Sequence, residues 1–179
     1  MELSQVILVN ENDEQTGVVG KMEAHEEGYL HRAFSIFIFN SKGELLLQQR
    51  ALGKYHSGGL WTNTCCSHPQ PGEDTMVAAH KRLQEEMGFT TKLERIFHFI
   101  YKSDVNNGLT EFELDHVLVG QYEGPVEFNP EEVMNSKYKS MTELKREIDE
   151  NPFSYTIWFR LAFPELEEWW KKRYKNVRT

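Results

Sequence analysis

The chain has 179 residues, of which 39% are hydrophobic and 12% are aromatic. This length suits one domain with a substantial core, and the composition excludes a disordered or fibrous protein. The formal net charge of -8 argues against a general basic surface for nucleic acid, so a phosphate-bearing ligand would need a few local cations or a metal ion.

The N-terminal sequence MELSQVILVN carries an acidic residue early and only a short apolar run, which is not the pattern of a signal peptide. No apolar stretch approaches the roughly 18 residues of a membrane span. We therefore expect a cytoplasmic protein without a membrane partner. The run VILVN predicts a short strand, and the turn ENDEQTG follows it before VVGKMEAHEEGYLH leads into the next element.

The middle of the chain predicts two strands and a helix. RAFSIFIFN at 32–40 alternates and is rich in β-forming residues, and SKGE turns it into LLLQQRA, which together predict a hairpin. GEDTMVAAHKRLQEEMGF at 72–89 has apolar residues at helical spacing. Asp74 or Thr75 can cap the start of this helix and Gly88 can end it.

Two long strands and two helices are predicted after residue 90. KLERIFHFIYKSDV and LTEFELDHVLVGQYE surround an Asn-Asn-Gly turn at 106–108. MTELKREIDEN and PFSYTIWFRLAFPELEEWWKKRY then predict helices, the second interrupted by Pro164. This order indicates an α/β (α+β) fold, with a mixed β-sheet sandwiched between helices. We expect a single domain over 1–179, with a core at about 31–165 and an N-terminal strand and turn extension at 1–30.

Carboxylates gather around the predicted helix. Glu73 precedes it, and Arg82 lies three and four residues before Glu85 and Glu86, which predicts one shared polar face opposite the apolar residues. One interpretation is a solvated face with an ordinary salt bridge. The other is a carboxylate cluster around a divalent cation that holds a diphosphate.

A second group combines carboxylates with histidines. Glu111 and Glu113 are two residues apart on a predicted strand and therefore point to the same face. On a buried face they would need a metal ion, a proton or a cation between them, whereas an exposed face would need nothing. Together with His25, His31 and His68 they would suit a divalent ion such as Zn²⁺ or Mn²⁺. The histidines interpreted as bystanders are His56, His80, His98 and His116.

The two cysteines, Cys65 and Cys66, are adjacent and poorly placed to bridge one another, so reduced thiols are expected. On an extended segment they would face opposite ways, so at most one can line a site. Cys66 precedes His68 by two residues and is the candidate reactive thiol, since a neighbouring metal-bound imidazole would make its proton mobile. Trp158 is either a core aromatic or an indole face for a cationic ligand.

GLWTNTCCSHPQPGE, KRLQEEMGF and TEFELDHV together resemble the type 1 isopentenyl-diphosphate delta-isomerases, a branch of the Nudix superfamily, from VILVN to PFSYTIWF. The Nudix box is G-x5-E-x7-R-E-U-x-E-E-x-G-U, where U is a bulky aliphatic residue. Ser67 stands at its first glycine, Lys81 at its arginine and Arg82 at the following glutamate. A hydrolase uses that glutamate to assemble its metal cluster, so Arg82 there argues against hydrolysis.

The resemblance implies a Nudix-like fold and roles for particular residues. The implied ligands of a tightly held ion, Mn²⁺ or Zn²⁺, are His25, His31, His68, Glu111 and Glu113. A second ion, Mg²⁺, would bridge the substrate diphosphate and Glu86, with help from the Cys66 carbonyl. The implied diphosphate-binding cations are Lys21, Arg50, Lys54 and Arg82. The implied catalytic residues are Cys66, Glu113, Tyr101 and Trp158.

The implied reaction converts isopentenyl diphosphate to dimethylallyl diphosphate by protonation and deprotonation through a tertiary carbocation. An alkene is a very weak base, so the acid must be held against it in a dry pocket. The implied partner is an isoprenoid diphosphate, and we expect a monomer or weak homodimer. The alternatives are a Nudix hydrolase of a nucleoside diphosphate derivative, a non-catalytic Nudix module that binds a phosphorylated ligand, and a thiol redox protein, which adjacent cysteines disfavour because they are not a C-x-x-C pair.

Overall fold

A computed structural model of the protein describes residues 4–174. Within that range the strands are β1 (Gln5–Val9), β2 (Gln15–Gly20), β3 (His31–Phe39), β4 (Leu45–Arg50), β5 (Trp61–Thr62), β6 (Cys65–Ser67), β7 (Glu94–Asp104), β8 (Thr110–Gln121) and β9 (Val133–Lys139). The helices are α1 (Lys21–Glu27), α2 (Thr75–Met87), α3 (Met141–Glu150) and α4 (Ile157–Arg173), with a short 3-10 helix at Pro152–Ser154.

Strand β3 lies at the centre of a mixed sheet. It pairs in parallel with β8, from His31 beside Glu113 to Phe39 beside Gln121, and antiparallel with β6 and β1. The predicted hairpin of β3 and β4 is limited to one pair, Phe39 with Leu45, because β4 turns away to pair with β9 and β5. The predicted antiparallel pair around 106–108 is confirmed as β7 and β8.

Helices cover both faces of this sheet, as predicted. Alternate side chains of β3 point to opposite faces: Phe37 packs in a buried cluster with Phe159 of α4, whereas Ile36 packs with Leu83 of α2. Helix α3 contributes Leu144 to the first cluster. The sheet is therefore sandwiched between α3 and α4 on one side and α2 on the other.

The predicted limits of α2 are confirmed. The Asp74 side chain accepts hydrogen bonds from the backbone N–H groups of Met76 and Val77 at 2.9 and 3.1 Å, which satisfies two donors at the helix start. Gly88 ends the helix with φ 78°. A Cβ at Gly88 would lie 2.4 Å from the carbonyl oxygen of Glu127, so a larger residue would not fit there.

Three parts of the fold differ from prediction. The N-terminal segment contains a second strand and a helix, β2 and α1, and not only a strand and a turn. Strand β9 precedes the C-terminal helices but has only one fully buried side chain, Val133, and its sequence lacks the alternation typical of a strand. Pro164 does not interrupt α4; buried Phe163 and Leu166 on either side offset the hydrogen bond that a proline removes.

Within residues 4–174, no helix combines the length and the apolar character that a membrane span requires.

Candidate active site

A pocket with an empty volume of about 850 Å³, its open mouth included, lies where β3, β6 and β8 run side by side. The sequence-predicted residues that line it are Lys21, Arg50, Lys54, Cys66, His68, Arg82, Glu86, Glu111, Glu113 and Trp158. The remaining predicted residues, His25, His31 and Tyr101, contact Glu111 or Glu113 from behind this lining. The structure therefore brings all thirteen predicted residues to one place.

Three histidines and two glutamates form what we call the imidazole–carboxylate cluster: His25, His31, His68, Glu111 and Glu113. Each offers one ligand atom, and these atoms all lie within 4.8 Å of one another. Nε2 of His25 is 2.8 Å from Oε1 of Glu111. Nε2 of His31 and of His68 are 3.1 and 2.6 Å from Oε2 of Glu113. The parallel register of β3 and β8, with His31 beside Glu113, sets this arrangement.

The other ring nitrogens show what the cluster can bind. Nδ1 of His25 lies 2.6 Å from the carbonyl oxygen of Lys21, and Nδ1 of His31 lies 2.9 Å from that of Tyr29. A carbonyl oxygen only accepts, so each Nδ1 carries the proton, and in a neutral ring Nε2 then presents a lone pair to a carboxylate. A divalent cation reconciles these facing acceptors. Oε2 of Glu111 is also buried without a hydrogen-bond partner among residues 4–174.

His56 also belongs to this site, and its interpretation as a bystander is wrong. Its Nε2 contacts Oε1 of Glu111, and its ring centroid lies 5.6 Å from that of His25 and 5.8 Å from that of Trp158. Burial is the main reason that the pKa of His56 lies below 6.5. Its position two residues after Lys54, a predicted cation, was the available signal in the sequence.

Strand β6 separates the two cysteines, as the extended segment predicts. Cys66 pairs with Ser35 and lines the pocket, whereas Cys65 is fully buried in the apolar cluster beneath α2. Burial raises the pKa of the Cys66 thiol to about 12, although the charge of Arg50 opposes this; Nη1 of Arg50 lies 3.9 Å from the sulfur. The Cys66 thiol is thus neutral at physiological pH.

Glu113 and Tyr101 meet across the β7–β8 pair. The two residues are register partners, and the Tyr101 hydroxyl donates to Oε1 of Glu113. Burial would raise the pKa of Glu113, but the neighbouring imidazoles of His31 and His68 outweigh burial and hold that pKa well below 4.5. Burial, and then the charge of Glu113, raise the pKa of Tyr101 well above 10.0. The phenol therefore stays protonated and orients the carboxylate.

The four predicted cations reach the pocket from three parts of the chain. Nη2 of Arg82 is 2.9 Å from Oε2 of Glu86. Nζ of Lys21 lies 4.4 Å from the ring centroid of Tyr55, and the Arg50 guanidinium lies 5.2 Å from the Trp158 ring. Lys54 completes the set. They give the pocket a local positive charge, which suits a phosphate-bearing ligand in an otherwise acidic chain.

The prediction that Arg82, Glu85 and Glu86 share one polar face of α2 is only partly correct. Glu85 and Arg82 form an exposed ion pair, but Glu86 is 3% exposed and accepts a hydrogen bond from Nε2 of Gln48 at 3.2 Å. Glu73 accepts from the backbone N–H of Gln70 at 2.9 Å. The three glutamates therefore do not form one carboxylate cluster, and Glu86 alone among them lines the pocket.

Asn63 holds the Trp158 indole in place. Nε1–H of Trp158 donates to Oδ1 of Asn63 at 3.2 Å, and the Asn63 amide donates to the carbonyl oxygens of Ile36 and Cys65 at 3.1 and 2.8 Å. No pattern in the sequence singles out Asn63. Its contact with Trp158 joins residues 95 positions apart, which no local pattern indicates.

Comparisons with known proteins show the family of this chain. Residues 29–159 match the NUDIX domain family. The Isopentenyl-diphosphate Delta-isomerase of Pectobacterium atrosepticum is 50% identical over 171 residues, which is 96% of this chain and 96% of that protein. The Isopentenyl-diphosphate Delta-isomerase 2 of Aromatoleum aromaticum is 50% identical over 154 residues, or 86% of this chain and 82% of that protein.

Solved structures support the fold. The structure of DR0079 from Deinococcus radiodurans has a TM-score of 0.69 at 19% identity and covers 83% of this chain and 90% of its own. The MutT protein from Methanosarcina mazei has a TM-score of 0.63 at 17% identity and covers 78% of this chain and 94% of its own. At such identities the likeness concerns the fold alone.

Proposed function

The chain belongs to the isopentenyl-diphosphate delta-isomerase family and contains a NUDIX domain, and on that premise we propose that its pocket converts isopentenyl diphosphate to dimethylallyl diphosphate with Cys66 and Glu113 as the proton-transfer groups. The observation that carries this assignment is their placement. Cys66 on β6 and Glu113 on β8 reach the same pocket from the two strands that flank β3.

The family and the imidazole–carboxylate cluster support divalent metal binding. We propose that the cluster holds Mn²⁺ or Zn²⁺, and that Glu86 and the Cys66 carbonyl bind Mg²⁺ together with the substrate diphosphate. When bound, such ions supply positive charge that polarises the Glu113 carboxyl and neutralises the diphosphate. The orphaned Oε2 of Glu111 and the Nε2 lone pairs are the features that fit an ion.

Lys21, Arg50, Lys54 and Arg82 are proposed to grip the diphosphate. Arg82 stands where a Nudix hydrolase has a glutamate that assembles its metal cluster, and here it pairs with Glu86. A cation at this position can stabilise the phosphate oxygens but cannot serve as a general base. The diphosphate is therefore held and left intact while the hydrocarbon end reacts.

In the proposed reaction one group donates a proton to the terminal alkene carbon, and the group on the opposite side removes a proton from C2. The double bond moves by one position, and the substrate keeps its atoms and charge. Tyr101 orients Glu113 through its hydroxyl, and the Cys66 thiol carries a proton at neutral pH. Between the two transfers the positive charge sits on a tertiary carbon, which the Trp158 indole face stabilises without attacking it.

Proton NMR in D₂O tests this function directly. The purified, reduced and metal-replete protein is incubated with isopentenyl diphosphate and Mg²⁺. We expect dimethylallyl diphosphate that carries deuterium, with the diphosphate intact, because both proton-transfer groups exchange with solvent. Unchanged substrate, or release of inorganic phosphate, would overturn the proposal.

We also propose that the enzyme works in the cytoplasm as a monomer or weak homodimer, with an isoprenoid diphosphate as its ligand and without nucleic-acid or membrane partners. Cys65 and Cys66 are free, and a mechanism that needs one thiol favours a reducing compartment. Light scattering on a gel-filtration peak, over a range of protein concentrations, tests the oligomeric state; a stable larger assembly would contradict it.

A further inference from the structure

Glu132 is a carboxylate that lies among the cations of the pocket and has no part in the reaction proposed above. It lines the pocket together with Lys21, Lys54 and Arg82. Its Oε2 accepts a hydrogen bond from Nζ of Lys54 and lies 3.8 Å from Nη2 of Arg82. The same Arg82 nitrogen is 2.9 Å from Glu86, so this one nitrogen faces two carboxylates, while Nη1 of Arg82 pairs with Glu85.

The backbone around Glu132 fixes this position. The carbonyl oxygen of Glu132 accepts from the N–H of Ala51 at 3.1 Å, and its own N–H donates to the carbonyl oxygen of Asn129 at 3.0 Å. The N–H of Asn129 in turn donates to the carbonyl oxygen of Glu86 at 2.9 Å. The loop is thus attached both to the end of β4 and to α2, which carries Arg82 and Glu86. These backbone hydrogen bonds hold the Glu132 carboxylate in position relative to Lys54 and Arg82.

Charge determines what this placement does. Burial would raise the pKa of Glu132, but the hydrogen bond and charge of Lys54 outweigh burial and lower it, so the side chain is an anion at neutral pH. A diphosphate that approaches Lys54 and Arg82 therefore meets a negative charge already paired with both. The Glu132 carboxylate and a bare diphosphate are both negative, so they repel one another when they share the same cations. A diphosphate that arrives with a divalent cation has much of its charge neutralised, so Glu132 repels it less.

We propose that Glu132 is a specificity-determining residue that makes diphosphate binding conditional on a divalent cation. Glu132 competes with a bare diphosphate for Lys54 and Arg82 and so lowers the affinity for it. The affinity for a cation-bound diphosphate is lowered far less. This inference rests on the proposed function, in which those cations grip the substrate diphosphate.

Calorimetric titration with inorganic pyrophosphate tests the inference without relying on turnover. The full-length protein and the Glu132→Gln variant are titrated at fixed ionic strength, with and without Mg²⁺. Removing the charge should raise the affinity for pyrophosphate without added Mg²⁺ by roughly five- to tenfold. With Mg²⁺ the affinity of the variant should stay within about twofold of that of the unaltered protein. The affinity ratio, which is the affinity with Mg²⁺ divided by that without it, should therefore fall.

The matched control is Glu131→Gln, because Glu131 is exposed and its neutralisation changes the net charge equally. We expect its affinity ratio to equal that of the unaltered protein. Glu132→Ala is the second variant, because alanine cannot re-form the contact with Lys54, and the thermal unfolding of each variant checks that it is folded.

The inference is overturned if Glu132→Gln behaves like Glu131→Gln, or if it weakens pyrophosphate binding equally with and without Mg²⁺, as a structural brace would. If the unaltered protein isomerises isopentenyl diphosphate in either case, only this inference fails. If it neither isomerises that substrate nor binds pyrophosphate, the proposed function fails as well.

Discussion

One face of strand β8 has two halves that are equally buried and chemically opposite. Its first half presents Glu111, Glu113 and Asp115, which are 2%, 6% and 1% exposed. Its second half presents Val117 and Val119, which are 0% and 3% exposed and pack in the cluster beneath α3 and α4. The same backbone therefore supports the site at one end and the core at the other.

The difference lies in what burial costs. Burying Val117 stabilises the fold, whereas burying an ionised carboxylate costs several kcal/mol unless partners compensate. The first half lowers this cost in two ways. Glu113 stays ionised among His31 and His68, while burial, and then the charge of Glu113, raise the pKa of Asp115 well above 3.8. Neighbouring carboxyls with diverging pKa values are typical of catalytic sites.

Within the polar half of β8, the largest expected loss of activity is at Glu113. We expect Glu113→Gln to lower kcat by about 10³-fold or more, because it removes a proposed proton-transfer group that is also a proposed metal ligand. The fold should persist, since the neutral amide no longer requires a buried charge to be compensated. Turnover by NMR and the melting temperature measure both effects. The control Glu94→Gln changes an exposed glutamate on β7 and should stay within about twofold; equal losses in both variants would contradict the assignment.

The adjacent cysteines repeat the comparison within β6. We expect Cys66→Ala to lower kcat by about 10²- to 10⁴-fold, because no other thiol reaches the pocket. Cys65→Ala should keep kcat within about twofold and cost roughly 1 kcal/mol of stability through the small cavity it leaves. Steady-state kinetics and denaturant unfolding separate these effects. An inactive Cys65→Ala together with an active Cys66→Ala would refute the assignment.

The apolar half of β8 should respond in the opposite way. We expect Val117→Ala to lower the free energy of unfolding by about 2 kcal/mol, since two buried methyl groups are lost from a packed core. The kcat of the folded enzyme should change by less than about twofold. Val77→Ala on α2, where the valine is 60% exposed, should cost less than about 0.5 kcal/mol. A large loss of kcat in a fully folded Val117→Ala protein would remove the distinction between the halves.

His116, on the other face of β8, should give the smallest effect. Burial, with Arg95 and His98, lowers its pKa below 6.5 although Asp13 opposes this. The unfolded chain, in which His116 has its ordinary pKa, therefore binds a proton more readily than the folded protein. The free energy of unfolding is accordingly unaffected by His116 above about pH 6.5 and falls as the pH drops from there toward the folded pKa. Melting temperatures between pH 8 and 5 should fall more steeply for the unaltered protein than for His116→Gln. Parallel curves would exclude this contribution.

The sequence predicts those parts of the molecule that local chemistry determines. The α2 helix follows from Asp74 at its start, Gly88 at its end and apolar residues at helical spacing between them. Glu111 and Glu113 share a face because a strand has a period of two. The spacing between Cys66 and His68 already indicated a candidate reactive thiol, whereas the proposed role of Tyr101 rests on the resemblance to a family alone.

The parts that the sequence did not predict depend on contacts between distant segments. His56 reaches Glu111 across 55 positions, and Glu132 meets Lys54 across 78. Strand β9 forms because β4 offers it an unpaired edge, although its own residues are mostly polar. Helix α4 continues through Pro164 because the surrounding apolar side chains are packed on the sheet. Local propensity was overridden by tertiary packing in both elements.

Two proposed site residues lie outside the segment that matches the NUDIX domain. That segment spans 29–159, whereas Lys21 and His25 belong to α1, which the antiparallel pair of β1 and β2 adjoins. A gene fragment limited to the matching segment would encode the thiol and both glutamates, but with incomplete sites for the ion and for the diphosphate. The proposed site therefore requires a longer stretch of chain than the segment that matches the NUDIX domain.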